Sequence, residues 1–148
     1  MARTIAISHK TIPHNTDEDS NILFWDFAKL SQAVKHGVKY SFFTKLTEQI
    51  PFTLFDWSAI LHLSERTMQR YKTEKKTFDP IYSDKILQIA ILYKTGHEVF
   101  GDKVNFDTWL ETKNVALGGI KPKELLDNTF GISLVKDELS RIENGVLA

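Results

Sequence analysis

Apolar residues recur every three or four positions along most of the chain after residue 21. This spacing is typical of α-helices that bury one face. It predicts a first helix over residues 22–36, closed by Gly37, and a second over residues 41–50, capped by Ser41 and stopped before Pro51. No segment alternates apolar and polar residues for long enough to form a strand. The sequence therefore predicts an all-α helical bundle.

Two short helices joined by a three-residue turn are predicted in the middle of the chain. Thr53 and Asp56 form a capping-box pair in front of LFDWSAIL, and Ser64 is placed to cap ERTMQRYKTEK. Residues 62–64 are then the whole connection, with His62 where the turn commonly carries glycine. Histidine tolerates the left-handed backbone conformation better than most residues. The pattern predicts a helix-turn-helix unit, although a solvated helical hairpin would explain it as well.

A long helix is predicted after this unit. Asp79 and Pro80 form its start signal and Gly101 closes it. Asn105 is predicted to cap a further helix that runs through Lys113. We therefore expect a helix-turn-helix domain over residues 21–101, preceded by a polar, flexible arm over residues 1–20.

Glycine and proline divide the remaining segment, residues 102–148. Gly118 and Gly119 predict a tight chain reversal, and Pro122 predicts a helix start at KELLDN. Ser133 is predicted to cap the final helix, LVKDELSRIEN, which Gly145 ends. The segment is thus predicted to form a small helical domain of its own.

The composition is that of a folded chain with an apolar core, since 42% of residues are hydrophobic and 26% are charged. There is no cysteine, which excludes disulfides, thiolate metal ligands and a thiol nucleophile. No apolar run is long enough to cross a bilayer, and the first 20 residues lack the apolar centre of a signal peptide. A cytoplasmic protein without a membrane partner is therefore expected.

No catalytic, metal-binding or cofactor-binding residues are predicted, and an enzyme is not expected. The five histidines show no metal-ligand spacing, and His97-Glu98 lacks the second histidine of a zinc-protease helix. Gly118-Gly119 does not belong to a phosphate loop, because no lysine followed by serine or threonine completes that motif.

Charge is balanced over the whole chain but not locally. The net charge is zero, whereas residues 62–76 carry five basic and two acidic side chains, an excess of three positive charges. Arginine and glutamine there can reach base edges, and lysine can contact phosphates. Because a monomer with no net positive charge binds DNA weakly, a homodimer or a larger assembly is expected. The predicted DNA-binding residues are Ser64, Arg66, Thr67, Gln69, Arg70, Lys72, Lys75 and Lys76.

Residues 109–145 have a second distinctive pattern, in which small and apolar residues stand at fixed spacing. Its positions are Trp109-Leu110, Asn114, Ala116-Leu117-Gly118-Gly119, Pro122, Leu125-Leu126, Gly131, Val135, Leu139 and Arg141-Ile142-Glu143-Asn144-Gly145. The pattern resembles the toxin-binding domain of Xre/MbcA/ParS-type antitoxins. The upstream SERTMQRYK is similar to a segment of their Xre-like helix-turn-helix domain.

The resemblance implies an antitoxin of a type II toxin–antitoxin system whose partner is a RES-domain toxin that attacks NAD or transfers from it. It implies that residues 102–148 cover the entrance to the toxin's active site and that the helix-turn-helix domain represses the operon. NAD would be the toxin's substrate and not a cofactor of this chain. The implied toxin-binding residues are Gly118, Gly119, Lys121, Lys123, Arg141, Glu143, Asn144, Gly145, Val146, Leu147 and Ala148.

Two alternatives remain open at this point. One is a stand-alone helix-turn-helix transcriptional regulator in which the C-terminal half only dimerises. The other is an interaction adaptor that makes no contact with DNA.

Overall fold

Helices account for most of residues 27–145, the part of the chain that the computed structural model describes. The α-helices are α1 (Phe27–His36), α2 (Tyr40–Gln49), α3 (Leu54–Leu61), α4 (Glu65–Glu74), α5 (Pro80–Phe100), α6 (Lys103–Leu110) and α7 (Thr129–Glu143). Two short 3₁₀ turns, Val115–Leu117 and Pro122–Leu125, lie between α6 and α7. Over residues 27–145 no β-strand forms, so the predicted all-α fold is confirmed.

Helix α5 is shared by both halves of the chain. It contacts α1 and α3 from the first half and α6 and α7 from the second. It begins at Pro80 and ends at Gly101, whose φ of 66° is left-handed, as the sequence predicts. Its residues Ile86, Ile89 and Tyr93 are buried in one hydrophobic cluster that includes residues from both halves. The two halves therefore have a common core.

An aromatic cluster fills the core of the first half. The ring of Phe43 lies 5.1 Å from that of Trp57 and 5.1 Å from that of Phe78, in edge-to-face geometry in both cases. Buried Ser83 of α5 accepts a hydrogen bond from the N–H of Val38 (2.8 Å) and donates one to the carbonyl of Phe78 (3.0 Å). The Ser83 hydroxyl therefore links the loop at Val38 and the loop at Phe78 to α5.

The first two helices differ from the prediction in one respect. Helix α1 ends at His36 before Gly37, as predicted, but α2 begins at Tyr40, so the prediction that Ser41 caps it is wrong. The N-cap is Lys39, two residues before Ser41, and the N–H of Tyr40 donates to the carbonyl of Lys76 (3.1 Å). Residues 1–26 and 146–148 are outside the described part, and the predicted arm over residues 1–20 is among them.

Helix α6 starts earlier and ends earlier than predicted. Asp102, not Asn105, is its N-cap, and the Asp102 carboxylate accepts a hydrogen bond from the N–H of Val104 (2.8 Å). This start buries Phe106 completely, and its ring lies against Gly96 of α5, where there is no side chain to block it. Tertiary packing thus selects one of two available caps.

Helix α7 also begins before the predicted cap. Asn128 accepts a hydrogen bond from the N–H of Gly131 (2.8 Å), and Ser133 is an exposed residue inside the helix. The earlier start adds a turn that buries Gly131 and Ile132. The predicted helix at KELLDN is a single 3₁₀ turn, Pro122–Leu125. None of the helices in the described part is long and apolar enough to cross a membrane.

Candidate functional site

Local hydrogen bonds fix the geometry of the helix-turn-helix unit as predicted. Thr53 and Asp56 form the capping box of α3, in which the Thr53 N–H donates to the Asp56 carboxylate (2.8 Å) and the Asp56 N–H to the Thr53 hydroxyl (3.1 Å). His62 has a left-handed backbone with φ of 54°. Ser64 accepts a hydrogen bond from the N–H of Thr67 (3.0 Å) and so caps α4. The tight turn therefore forms although it contains no glycine.

Helix α4 has one buried face and one exposed face. Met68 and Tyr71 are buried against the core. Arg66, Arg70 and Lys72 are exposed and form no ion pair among the described residues. A helix that binds DNA is braced on its apolar face by a second helix and presents cations on its other face. Helix α4 has this arrangement.

The other predicted DNA-binding residues have internal contacts. The Ser64 hydroxyl donates to that of half-buried Thr67 (2.9 Å), so both serve the cap of α4. Lys75 ends α4 in a left-handed conformation with φ of 51°. The Lys76 ammonium lies 3.3 Å from the Glu74 carboxylate and 5.5 Å from the centre of the Tyr71 ring. Gln69 is exposed on α4 beside the two arginines.

The Gly118-Gly119 reversal is a closed loop held by Asn114. Both glycines have left-handed backbones, with φ of 80° and 77°. The Asn114 carbonyl accepts from the N–H of Gly119 (2.8 Å), and the Asn114 N–H donates to the carbonyl of Ile120 (3.1 Å). An added Cβ would meet no atom within 4 Å at either glycine, so only the backbone conformation calls for glycine here.

Lys123, one of the predicted toxin-binding residues, pairs with two carboxylates of this chain. Its ammonium lies 2.9 Å from the carboxylate of Asp56 on α3 and 2.7 Å from that of Glu111 after α6. Burial tends to lower the pKa of Lys123, but the hydrogen bonds to these carboxylates outweigh it and raise that pKa. Lys121 lies more loosely beside Glu111, at 3.9 Å. Lys123 therefore connects the helix-turn-helix unit to the second half of the chain.

Asp56 takes part in both the capping box and this connection. Burial tends to raise its carboxyl pKa, but hydrogen bonds from Lys123 and Thr53 outweigh burial and hold the pKa below its usual value. The sequence shows only the local bond to Thr53. The ion pair with Lys123 joins residues that are far apart in the chain, and no sequence signal indicates it.

His62 makes a second connection between the halves. Its Nε2 lies 2.6 Å from the backbone carbonyl of Asp127, and because a carbonyl only accepts, this nitrogen carries the proton. The Lys85 ammonium donates to the same carbonyl (3.0 Å). The turn residue that departs from the usual glycine thus holds the segment that leads into α7.

The C-terminal end of α7 carries most of the remaining predicted toxin-binding residues. Arg141 and Glu143 are exposed. The side-chain amide of Asn144 donates to the carbonyl of Ser140 (2.8 Å), and Gly145 follows with a left-handed φ of 67°. Val146, Leu147 and Ala148 lie outside the described residues. Sequence reasoning missed the large exposed apolar side chains of this half, which are Val104, Val115, Ile120, Phe130 and Leu134.

A partly buried polar cluster lies between α5 and α6. The Tyr93 hydroxyl donates to the Asp107 carboxylate (2.6 Å), and burial, followed by this bond, raises the pKa of Tyr93. The His97 ring packs 4.4 Å from that of Tyr93, and its buried Nε2 has no partner among the described residues. Burial lowers the pKa of His97. No group of three or more acidic or histidine side chains in residues 27–145 is arranged to hold a metal ion.

Comparisons with known proteins match both halves of the chain. Residues 29–90 match the antitoxin Xre-like helix-turn-helix domain, and residues 95–145 match the antitoxin Xre/MbcA/ParS C-terminal toxin-binding domain. The protein called Antitoxin Xre from Yersinia enterocolitica serotype O:8 / biotype 1B is 30% identical over 87 residues. The matched segment spans 58% of this chain and 59% of that relative. Both domain matches and this relative agree with the resemblance seen in the sequence, and the chain belongs to the Xre/MbcA/ParS antitoxin family.

Proposed function

We propose that this chain is a cytoplasmic, non-enzymatic antitoxin that neutralises a RES-domain toxin acting on NAD and that represses its own operon. Its C-terminal half covers the toxin's active site, and α4 contacts the operator. One observation carries this proposal. A single chain joins an Xre-like helix-turn-helix domain, with exposed cations on α4, to the family's C-terminal toxin-binding domain.

The DNA side of the proposal rests on α4. Arg66 and Arg70 stand one turn apart on its exposed face, close enough to contact neighbouring bases or phosphates. With a net charge of zero for the whole chain, binding depends on this local face and on pairing two copies over two half-sites. We therefore expect a homodimer, or a larger complex with toxin, on an operator with two-fold symmetry.

The toxin side rests on the exposed parts of residues 95–145. The Gly118-Gly119 loop and the end of α7 around Arg141 are exposed, whereas Lys123 is half-buried and paired with Asp56 and Glu111. We place the toxin contacts on that loop, on the exposed face of α7 and on the residues that follow Gly145.

Co-expression tests the proposal directly. The RES-domain protein encoded beside this chain should arrest growth when expressed alone and should not do so with the antitoxin. A chain truncated after Arg141 should lose neutralisation while its N-terminal helices stay folded. If the full chain neither restores growth nor forms a stable complex with the RES-domain protein, the toxin side of the proposal is wrong.

Operator binding is tested with Arg66→Ala and Arg70→Ala in gel-shift titrations on the upstream promoter. Loss of one base or phosphate contact costs about 1–3 kcal/mol, so each variant should bind about 5- to 150-fold more weakly. Lys113→Ala, which removes an exposed cation outside the helix-turn-helix unit, is the matched control and should bind as wild type. Both arginine variants should still neutralise the toxin. An unchanged shift with either would refute the assignment of α4 to the operator.

A further inference from the structure

Helix α7 exposes two large apolar side chains on its outer face. Phe130 is 84% exposed and Leu134 is 51% exposed. They stand four residues apart, so they are neighbours one turn apart on the helix surface. The opposite face holds Ile132, Val135 and Leu139 in the core. The outer pair therefore does not belong to the fold's own core.

The position of this pair extends a surface already discussed. Counting in helical steps, Phe130, Leu134 and Arg141 fall on one stripe along α7 that leads to Gly145. The 3₁₀ turn Val115–Leu117 also packs against α7. Val115, which follows Asn114 in the Gly118-Gly119 loop, is the most exposed large apolar residue, at 93%. The pair thus lies on the helix that carries Arg141 and that packs against the Gly118-Gly119 loop segment, the two parts of the chain to which we assign toxin contacts.

The exposed pair is too small to form a stable interface by itself. The two side chains offer on the order of 250 Å² of exposed surface, whereas a stable interface buries about 800 Å² on each partner. An isolated apolar pair of that size serves better as the centre of a larger interface with a polar surround. Thr129, Ser133 and Asp137 are exposed beside it and provide such a surround.

We propose that Phe130 and Leu134 are apolar anchors that enter a hydrophobic pocket on the toxin surface. This inference rests on the proposed function, because the match of residues 95–145 to the toxin-binding domain identifies the toxin as the occupant. The anchors hold the toxin to α7, while the loop and the residues after Arg141 lie over the active-site entrance. Affinity and active-site cover are then carried by different residues.

Calorimetric titration of the full-length chain with the RES-domain protein encoded beside it tests this inference. Phe130→Ala and Leu134→Ala should each weaken the Kd about 10- to 100-fold, as truncation of a central interface residue does. Phe55→Ala is the matched control, because Phe55 is 70% exposed on α3 in the other half of the chain. It should change the Kd less than twofold. Thermal unfolding of all three variants should match that of wild type, because none of these side chains is buried.

The outcomes separate this inference from the proposed function. If Phe130→Ala and Leu134→Ala bind the toxin as tightly as wild type does, the assignment of these residues as anchors is wrong. The proposed antitoxin function then still stands. The same holds if Phe55→Ala weakens binding as much as Phe130→Ala does. If sedimentation shows that Phe130→Ala instead abolishes self-association and leaves toxin binding intact, a second copy is the occupant and the inference fails. If wild type does not bind the toxin, the proposed function fails first.

Discussion

Substitution of Gly131 by alanine should destabilise the chain, although alanine is the better helix former. Gly131 lies in the first turn of α7 with an ordinary helical backbone. In an exposed helix, alanine would be favoured over glycine by about 1 kcal/mol. Here an added Cβ would overlap the carbonyl oxygen of Leu125 and stand 2.7 Å from its carbonyl carbon. Packing therefore predicts that Gly131→Ala lowers the free energy of unfolding, whereas helix propensity predicts that it raises it.

The magnitude follows from which atoms must move. A Cβ essentially never approaches another heavy atom within 3.0 Å, and the obstructing atoms belong to the backbone of the 3₁₀ turn Pro122–Leu125. That turn cannot swing aside as a flexible side chain would, because its own Lys123 is paired with Asp56 and Glu111 and because the turn packs against α7. Because the backbone must shift, the overpacking cost should lie at or above the upper end of the usual range, at about 3–4 kcal/mol. After the helix-propensity gain of about 1 kcal/mol is subtracted, the net loss in the free energy of unfolding should be about 2–3 kcal/mol. The corresponding fall in Tm is roughly 6–10 °C for a chain of 148 residues.

Urea unfolding followed by tryptophan fluorescence and circular dichroism measures this loss. Ser133→Ala, two residues further along the same helix on its exposed face, is the matched control. It should leave the free energy of unfolding within about 0.5 kcal/mol of wild type, on the stabilising side. If Gly131→Ala is as stable as Ser133→Ala, α7 does not approach the 3₁₀ turn closely and the reasoning fails.

Three further predictions use the same unfolding assay. Asn128→Ala should cost about 1 kcal/mol because Asn128 caps α7; no loss would mean that α7 starts elsewhere. Lys123→Met should lower the free energy of unfolding by about 1–2 kcal/mol, because its ion pair with Asp56 joins side chains that are only 20% and 17% exposed. The control Lys121→Met, which removes a looser and more exposed pair, should lower it by less than about 0.5 kcal/mol. The pKa of His97 is lowered in the folded chain, so the unfolded chain takes up a proton at a higher pH than the folded chain does. This contribution to the stability of the folded chain is therefore fully present above the unfolded pKa of about 6.5 and is lost progressively as pH falls below it. Wild type should therefore lose more stability than His97→Gln between pH 7.5 and 6.0, and equal losses would contradict the burial of that ring.

The features predicted correctly from sequence are those that local interactions determine. The capping box at Thr53, the left-handed turn at His62 and the cap at Ser64 each involve residues within four positions of one another. Apolar spacing likewise predicts the buried face of α4, because helical periodicity alone places Met68 and Tyr71 together. These elements follow directly from the order of the residues.

The errors arise where several residues are equally suitable locally. Asp102 and Asn105, or Asn128 and Ser133, are all good caps by residue type. The choice between them depends on whether Phe106 and Ile132 reach the core, which is a tertiary property. For the same reason the sequence gives no sign that Lys123 pairs with Asp56, since the partners are far apart in the chain.

The exposed anchors were missed for a different reason. The predicted final helix begins at Leu134, so it does not include Phe130 and gives that residue no face. Once Asn128 is the cap, Phe130 belongs to α7 and stands one turn before Leu134 on the exposed face. Correcting the helix start therefore also reveals the proposed toxin contact.

The shared helix α5 changes how the two predicted domains should be understood. The predicted boundary at residue 101 falls at the end of α5, yet α5 buries residues against both halves, and the Tyr93 ring lies 5.4 Å from that of Phe106 on α6. Removal of residues 102–148 would expose this apolar side of α5 to water. Lys123 and His62 add polar links between the halves. A toxin bound to α7 as proposed would therefore keep a fixed orientation relative to α4, and the two proposed binding surfaces would lie on one folded unit rather than on two units that fold separately.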